Sequence, residues 1–225
     1  MTKQKADGVT SRSKSAAVSL GAKAYSSIRE KILSRALKSG EAISEERLAE
    51  DLSISRTPVR EALLLLQSEG LIQKEANQPF RVRHVTNREY FQSMRMRELL
   101  EGEAISIAVG KIDLSELAAV EMTLLELQKN PDVPAEIHWL ADETLHEMIA
   151  QASGNDVMVK MIRELRVTTR LFELSGLPSR VRPDVAEHIN ILEAIKAGNP
   201  ELSHQQMRSH IRSLTSDVLN AMTNL

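Results

Sequence analysis

From Thr86 onward the chain is written as a train of helices. Apolar residues recur at three- and four-residue spacing through six segments, 88–109, 113–129, 134–152, 155–175, 181–197 and 200–222. The punctuation between them fits helix ends: Asp113 and Asn155 can cap starts, Pro131 and Pro134 bracket a loop, and Ser153-Gly154 stops a helix. Gly176-Leu177-Pro178 and Gly198-Asn199-Pro200 mark the last two breaks. Such a run predicts an all-helical antiparallel bundle over 87–225.

Ahead of that bundle the pattern is different. Residues 1–20 are rich in Ser, Lys and Thr without apolar periodicity and read as a flexible basic tail. From Ala24, residues Tyr25, Ile28, Ile32, Leu33 and Ala36 recur at helical spacing, ending at Ser39-Gly40. Ser44 opens a second helix with Leu48, Ala49 and Leu52 inward; a break at Ser53-Ile54-Ser55 leads to a third with Val59, Ala62, Leu63 and Leu66. Two extended runs, 71–74 and 80–85, are joined by Glu75-Ala76-Asn77-Gln78-Pro79 as a hairpin. Three short helices and a hairpin over 21–86 make a winged helix-turn-helix, the fold class being mainly α throughout.

Composition narrows the functional classes. With 225 residues, 42% of them hydrophobic, the chain can bury a sizeable core. It has no Cys, hence no disulfide framework, thiolate nucleophile or Cys-based zinc site. No run of about 18 apolar residues and no secretory h-region are present, so a soluble cytoplasmic protein without a membrane partner is expected. Residues 1–88 carry 16 Lys and Arg against 10 Asp and Glu, while residues 89–225 carry 13 against 21. A basic first part joined to an acidic second part points to a polyanion as the first part's partner, unless the asymmetry is only a fluctuation of surface charge.

The third helix opens with Ser55-Arg56-Thr57-Pro58-Val59-Arg60. Proline is accommodated there because first-turn N–H groups lack helical acceptors. Arg56 and Arg60 lie four apart, on one face near the helix start, where a recognition helix meets the major groove. Arginine forks onto guanine O6 and N7 or onto phosphate, and Ser55 and Thr57 can bond phosphates beside the helix N-terminus. The competing reading is that Arg60 and Glu61 are ordinary exposed helix charges.

The string LAEDLSISRTPVREALLLLQSEGLI, from Leu48 to Ile72, resembles the GntR family of bacterial transcription regulators. Leu48-Ala49, Leu52, Ser55 to Leu63, Leu66 and Glu69-Gly70-Leu71 carry the match, and the helical remainder looks like the FadR-type effector domain called FCD, for coverage of about 22–222. The resemblance implies that Arg56 and Arg60 contact DNA. It also implies a homodimer on a pseudo-palindromic double-stranded operator, two-fold protein symmetry demanding two half-sites. Glu46 stands where relatives carry an Arg; Arg47 can substitute, although it points about 100° away on the helix. Asn77-Gln78-Pro79-Phe80 replaces the usual wing glycine, leaving Arg81 and Arg83 for backbone contacts.

The chain has six His, and spacing singles out three of them together with one Asp. Asp142 and His146 leave one helix face a turn apart. His188 lies 11 residues before Asn199 and His210 lies 11 after it, so in an antiparallel hairpin they share a height. Three imidazoles and a carboxylate converging in a bundle suit a divalent transition metal such as Zn, Ni or Mn; otherwise they line a polar pocket. The resemblance implies the metal reading, since many FCD domains bind metal through D-x-x-x-H and two later His. It further implies a small carboxylate effector beside the metal. Its cation would come from Arg97, at a family position, or from Arg163 and Arg170, seven apart on the next-but-two helix; Asn155 also matches but is most simply a cap. His138, in register with Asp142, reads as surface, and His84 and His204 as having no ligand role.

A metal-dependent hydrolase on this bundle is the alternative class. It needs a general base near the metal, and Glu143 and Glu147 project about 100° away from the ligands. No Ser-His-Asp motif, Gly-rich phosphate loop or dinucleotide fingerprint is present. The sequence therefore predicts a non-enzymatic, metal-containing, acid-responsive repressor.

Overall fold

The computed structural model describes residues 7–174 and 180–223. The chain divides into two compact units, one running through Val85 and including Arg170 to Leu174, the other from Thr86 on.

The first unit contains α1 (Asp7–Leu33), β1 (Ala42–Ile43), α2 (Glu45–Leu52), α3 (Arg56–Ser68), β2 (Ile72–Gln73) and β3 (Phe80–Val82). Ala24, Ile28 and Ile32 of α1 are buried with Val59, Leu63 and Leu66 of α3, the three- and four-residue spacing within each set making one apolar stripe. Ser44 caps α2 by accepting from Arg47 N at 3.2 Å. Ser53 ends α2 in the left-handed region, at φ 53°, and turns the chain into α3.

The strands form a three-stranded sheet in the order β1-β3-β2, antiparallel throughout, with Ile43 opposite Phe80 and Ile72 opposite Val82. The hairpin was legible; β1 was not, because two residues carry no periodic signal. Asn77 sits at φ 61° in the tip, supplying the left-handed conformation for which glycine is the usual choice.

Two expectations need correction. Residues 7–20, read as an irregular tail, form the first half of α1. A helix already anchored at Ala24–Ile32 propagates one bond per residue without a new nucleus, and Ala16, Ala17, Leu20 and Ala22 favour that extension. Ala36, expected inward, is exposed because α1 stops at Leu33 and Arg35 takes a left-handed turn at φ 64°.

The second unit comprises α4 (Asn87–Ala108), α5 (Leu114–Lys129), α6 (Ala135–Ala152), α7 (Asp156–Glu173) as far as Thr169, α8 (Val181–Lys196) and α9 (Pro200–Thr223). Thr86, Asp113 and Asn155 cap α4, α5 and α7. The break expected at Gly176-Leu177-Pro178 lies outside the described residues. Helix α4 packs on α9 and α6, and α8 on α9 and α5. At Gly102 a Cβ would stand 2.9 Å from both His204 Cδ2 and Arg208 Cγ, so the glycine sets how closely α4 approaches α9. Tyr90, Met94, Ile105, Leu124, Leu145, Ile149 and Ile191 are among its most deeply buried side chains. Among the described residues no helix is long and apolar enough to cross a membrane.

Candidate nucleic-acid interface and candidate metal centre

Helix α3 begins at Arg56, with Ser55 in extended backbone at its N-cap and its hydroxyl not used as a cap. Ser55, Arg56, Thr57 and Arg60 are all exposed. The backbone N–H groups of Ser55, Arg56 and Thr57 (Pro58 has none) and two guanidiniums thus stand at one exposed helix end, which is the arrangement that receives phosphates and base edges. Arg56 Nη1 is held by Glu46 Oε1 at 2.8 Å. Arg47 is exposed on α2. On the wing, Arg81 Nη1 donates to Gly40 O at 3.2 Å.

In the second unit α6, α8 and α9 bring together the carboxylate and three imidazoles that spacing had singled out. Ligand atoms of Asp142, His146, His188 and His210 all lie within 4.8 Å of one another. His188 Nε2 is 3.3 Å from His210 Nε2, and Asp142 Oδ1 is 3.5 Å from both His146 Nε2 and His188 Nε2. Donors at metal bonds of about 2.0–2.1 Å sit roughly 3.0–3.4 Å apart, so these separations fit a small divalent ion. The three His side chains are fully buried.

Two further carboxylates orient the imidazoles. Glu187 Oε2 accepts from His210 Nδ1 at 2.7 Å, and Glu101 accepts from His146 Nδ1. An ionised carboxylate only accepts, so each Nδ1 carries the proton and each Nε2 presents a lone pair to the cluster. His146 Nε2 is buried without a hydrogen-bond partner among the described residues. Converged lone pairs around an unpartnered nitrogen call for a cation, and this donor set fits one.

The charges around the cluster keep it ready for that role. Burial disfavours the His146 cation, the Arg166 charge adds to this, and its pKa falls to about 4 despite Glu101 and Asp142. His188, buried beside His210, lies well below the usual imidazole range. Burial would raise Asp142 and Glu101, but Arg166 holds the first carboxyl low and Arg97 the second. Glu187, drawn down against burial by His210 and Arg180, falls to about 2. Asp184 goes the other way: burial, with Asp142 and Glu187 nearby, lifts it to about 8 in spite of Arg180.

The expected effector cations are distributed differently. Arg97 is buried, with Nε on Glu101 Oε1 at 2.6 Å and Nη1 on Thr169 Oγ1 at 3.1 Å. Arg163 pairs with Glu147 at the surface, on a face of α7 that looks outward. The α7 cation at the cluster is Arg166, three residues on, with Nη2 2.6 Å from Asp142 Oδ2. Arg170 is grouped with the first unit, not with the bundle. Asn155 is exposed and caps α7, as its position suggested, by accepting from Met158 N at 3.1 Å. His138, read as surface, is buried, its Nε2 3.7 Å from Asp184 Oδ2.

Sequence reasoning missed Glu101, Arg166, Glu187 and Asp184. Arg97 and Glu101 are spaced i,i+4, which was a usable signal; Glu187 reaches His210 on another helix, which no local pattern reveals. Of the two acidic residues considered as bases, Glu147 is engaged by Arg163 and Gln151 while Glu143 is exposed.

Comparison with known proteins places both halves. Residues 20–82 match the family described as bacterial regulatory proteins, gntR family, and residues 92–213 match the FCD domain. The regulator McbR of Escherichia coli (strain K12) is 30% identical over 192 residues, covering 82% of this chain and 86% of McbR. YdhC of Bacillus subtilis (strain 168), described as an uncharacterized HTH-type transcriptional regulator, is 28% identical, covering 83% and 85%. The solved structure of E. coli McbR/YncC superposes with a TM-score of 0.72 at 25% identity, over 89% of this chain and 97% of that one. These relatives are transcriptional regulators, not enzymes. The chain belongs to the GntR family of bacterial transcription regulators and carries an FCD effector domain.

Proposed function

We propose that this regulator is a cytoplasmic, homodimeric repressor whose FCD domain holds one divalent transition metal, Zn, Ni or Mn, on Asp142, His146, His188 and His210. The observation that carries this reading is the convergence of four ligand atoms within 4.8 Å, with carboxylates fixing two imidazoles from behind. When bound, the metal supplies an electrophilic site with open positions for an anionic oxygen ligand. A small organic acid is the effector, and Arg97, held on Glu101 behind the His146 ligand, is its cation.

Ser55, Arg56, Thr57 and Arg60 meet the major groove of a pseudo-palindromic operator, with Arg47 and Arg81 on the backbone. The acid acts by binding two states of the dimer unequally, so acid and operator must alter each other's affinity by the same factor.

Elemental mass spectrometry on protein purified without a His-tag or chelator tests the centre. The expected result is one transition metal per chain, lost in His188→Ala while binding to random DNA persists. Absence of metal after reconstitution with Zn, Ni and Mn, or full occupancy in His188→Ala, overturns the assignment.

A further inference from the structure

Glu46, on the first turn of α2, makes the single ion pair that Arg56 has among the described residues. The side chains are 69% and 61% exposed, and the contact spans the two helices of the helix-turn-helix. An exposed pair of this kind contributes only about 0–1 kcal/mol to folding, so stability does not account for it. Geometry offers another role. Glu46 Oε1 takes Nη1 alone, at 2.8 Å, leaving Arg56 Nε and Nη2 without a partner among the described residues. A guanidinium held at one nitrogen still presents donors for the O6 and N7 of a guanine. The open groove beside it is lined by Glu50, Ser53 and Ser55 as well as by Glu46 and Arg56.

We propose that Glu46 is a positioning residue of the DNA interface that sets selectivity, holding Arg56 for a base edge and making a phosphate a poor alternative partner. This rests on the reading that Arg56 contacts DNA. Two physical effects act together. Holding the guanidinium on the protein removes part of the ordering cost of a flexible side chain at the interface. The Glu46 carboxylate also cancels the Arg56 charge toward the phosphate backbone, so binding to random sequence gains one fewer released counterion. A base contact benefits from the first effect, whereas a phosphate contact suffers from the second.

The test uses the full-length protein, an operator fragment that it selects from genomic DNA, and a 24-bp random-sequence duplex, with affinities read by fluorescence anisotropy across a salt series. Glu46→Gln should tighten binding to the random duplex and steepen its salt dependence by about one unit of log–log slope. Its operator-to-random affinity ratio should fall about tenfold, and Glu46→Asp, which keeps the charge, should retain the wild-type slope. In an Arg56→Ala background Glu46→Gln should leave the ratio unchanged. A ratio unaltered by Glu46→Gln in the wild-type background, with Arg56→Ala still weakening operator binding, overturns the proposal. An Arg56→Ala variant that binds operator normally overturns the reading of α3 on which it rests.

Discussion

Replacing Glu101 by Gln separates two tasks that one buried carboxylate performs. Glu101 Oε1 holds Arg97 Nε at 2.6 Å, and its other oxygen holds His146 Nδ1, with both Arg97 and Glu101 almost wholly inaccessible. Removing the negative charge takes from the buried Arg97 guanidinium the carboxylate that holds its Nε, while Thr169 and Met94 offer Nη1 only neutral contacts. Breaking a buried pair from one side costs about 3–5 kcal/mol. For a chain of this size each kcal/mol lowers Tm by roughly 2–4 °C, so the metal-free variant should melt on the order of 10 °C earlier. The amide still accepts from His146 Nδ1 but weakly, and loss of such a supporting carboxylate lowers metal affinity by about 10–100-fold. The assay is calorimetry of chelator-treated protein beside Zn competition with a chromophoric chelator. Arg97→Met with Glu101→Gln removes both charges and should recover most of the stability without recovering Zn affinity. If Glu101→Gln melts within 2 °C of wild type, or the double variant is as unstable as the single one, Glu101 does not serve both Arg97 and His146.

Other consequences are simpler to check. Arg60→Ala should cost about 1–3 kcal/mol of operator binding if Arg60 reads a base, and unchanged anisotropy titrations would remove it from the interface. Ser53, left-handed at φ 53°, should give about 0.5–1 kcal/mol of added stability as Ser53→Gly in urea denaturation; destabilisation would mean that its side chain matters more than its backbone. Metal-free protein should be most stable near pH 6.5. Below that pH the unfolded chain protonates His146 and His188 while the folded chain keeps them neutral, against one proton retained by folded Asp184. The unfolded state therefore binds one more proton, and stability falls by about 1.4 kcal/mol per unit as pH drops toward 5. Between pH 6.5 and 8 the sign reverses, because Asp184 holds its proton in the fold and not in the unfolded chain. Urea midpoints that rise steadily from pH 5 to 8 would contradict this.

The features legible from residue order alone are those governed by local chemistry. Caps at Ser44, Asp113 and Asn155, the proline at the start of α3, and apolar periodicity placed the helices and the face carrying Arg56 and Arg60, since each is settled within a turn or two of the chain. The Asp142, His146, His188 and His210 set was legible too, because i,i+4 spacing and equal distance from one tight turn are geometric facts about helices. Long-range packing set the remainder. Only the assembled α4, α6 and α7 show that Glu101 backs His146 and that Arg166, not Arg163, meets Asp142. Residues 163 and 166 differ by about 60° around α7, and a periodicity too broad to resolve that angle cannot say which one faces a buried carboxylate. Burial itself, which keeps His146 and His188 neutral and Asp184 protonated, is a property of the assembled bundle.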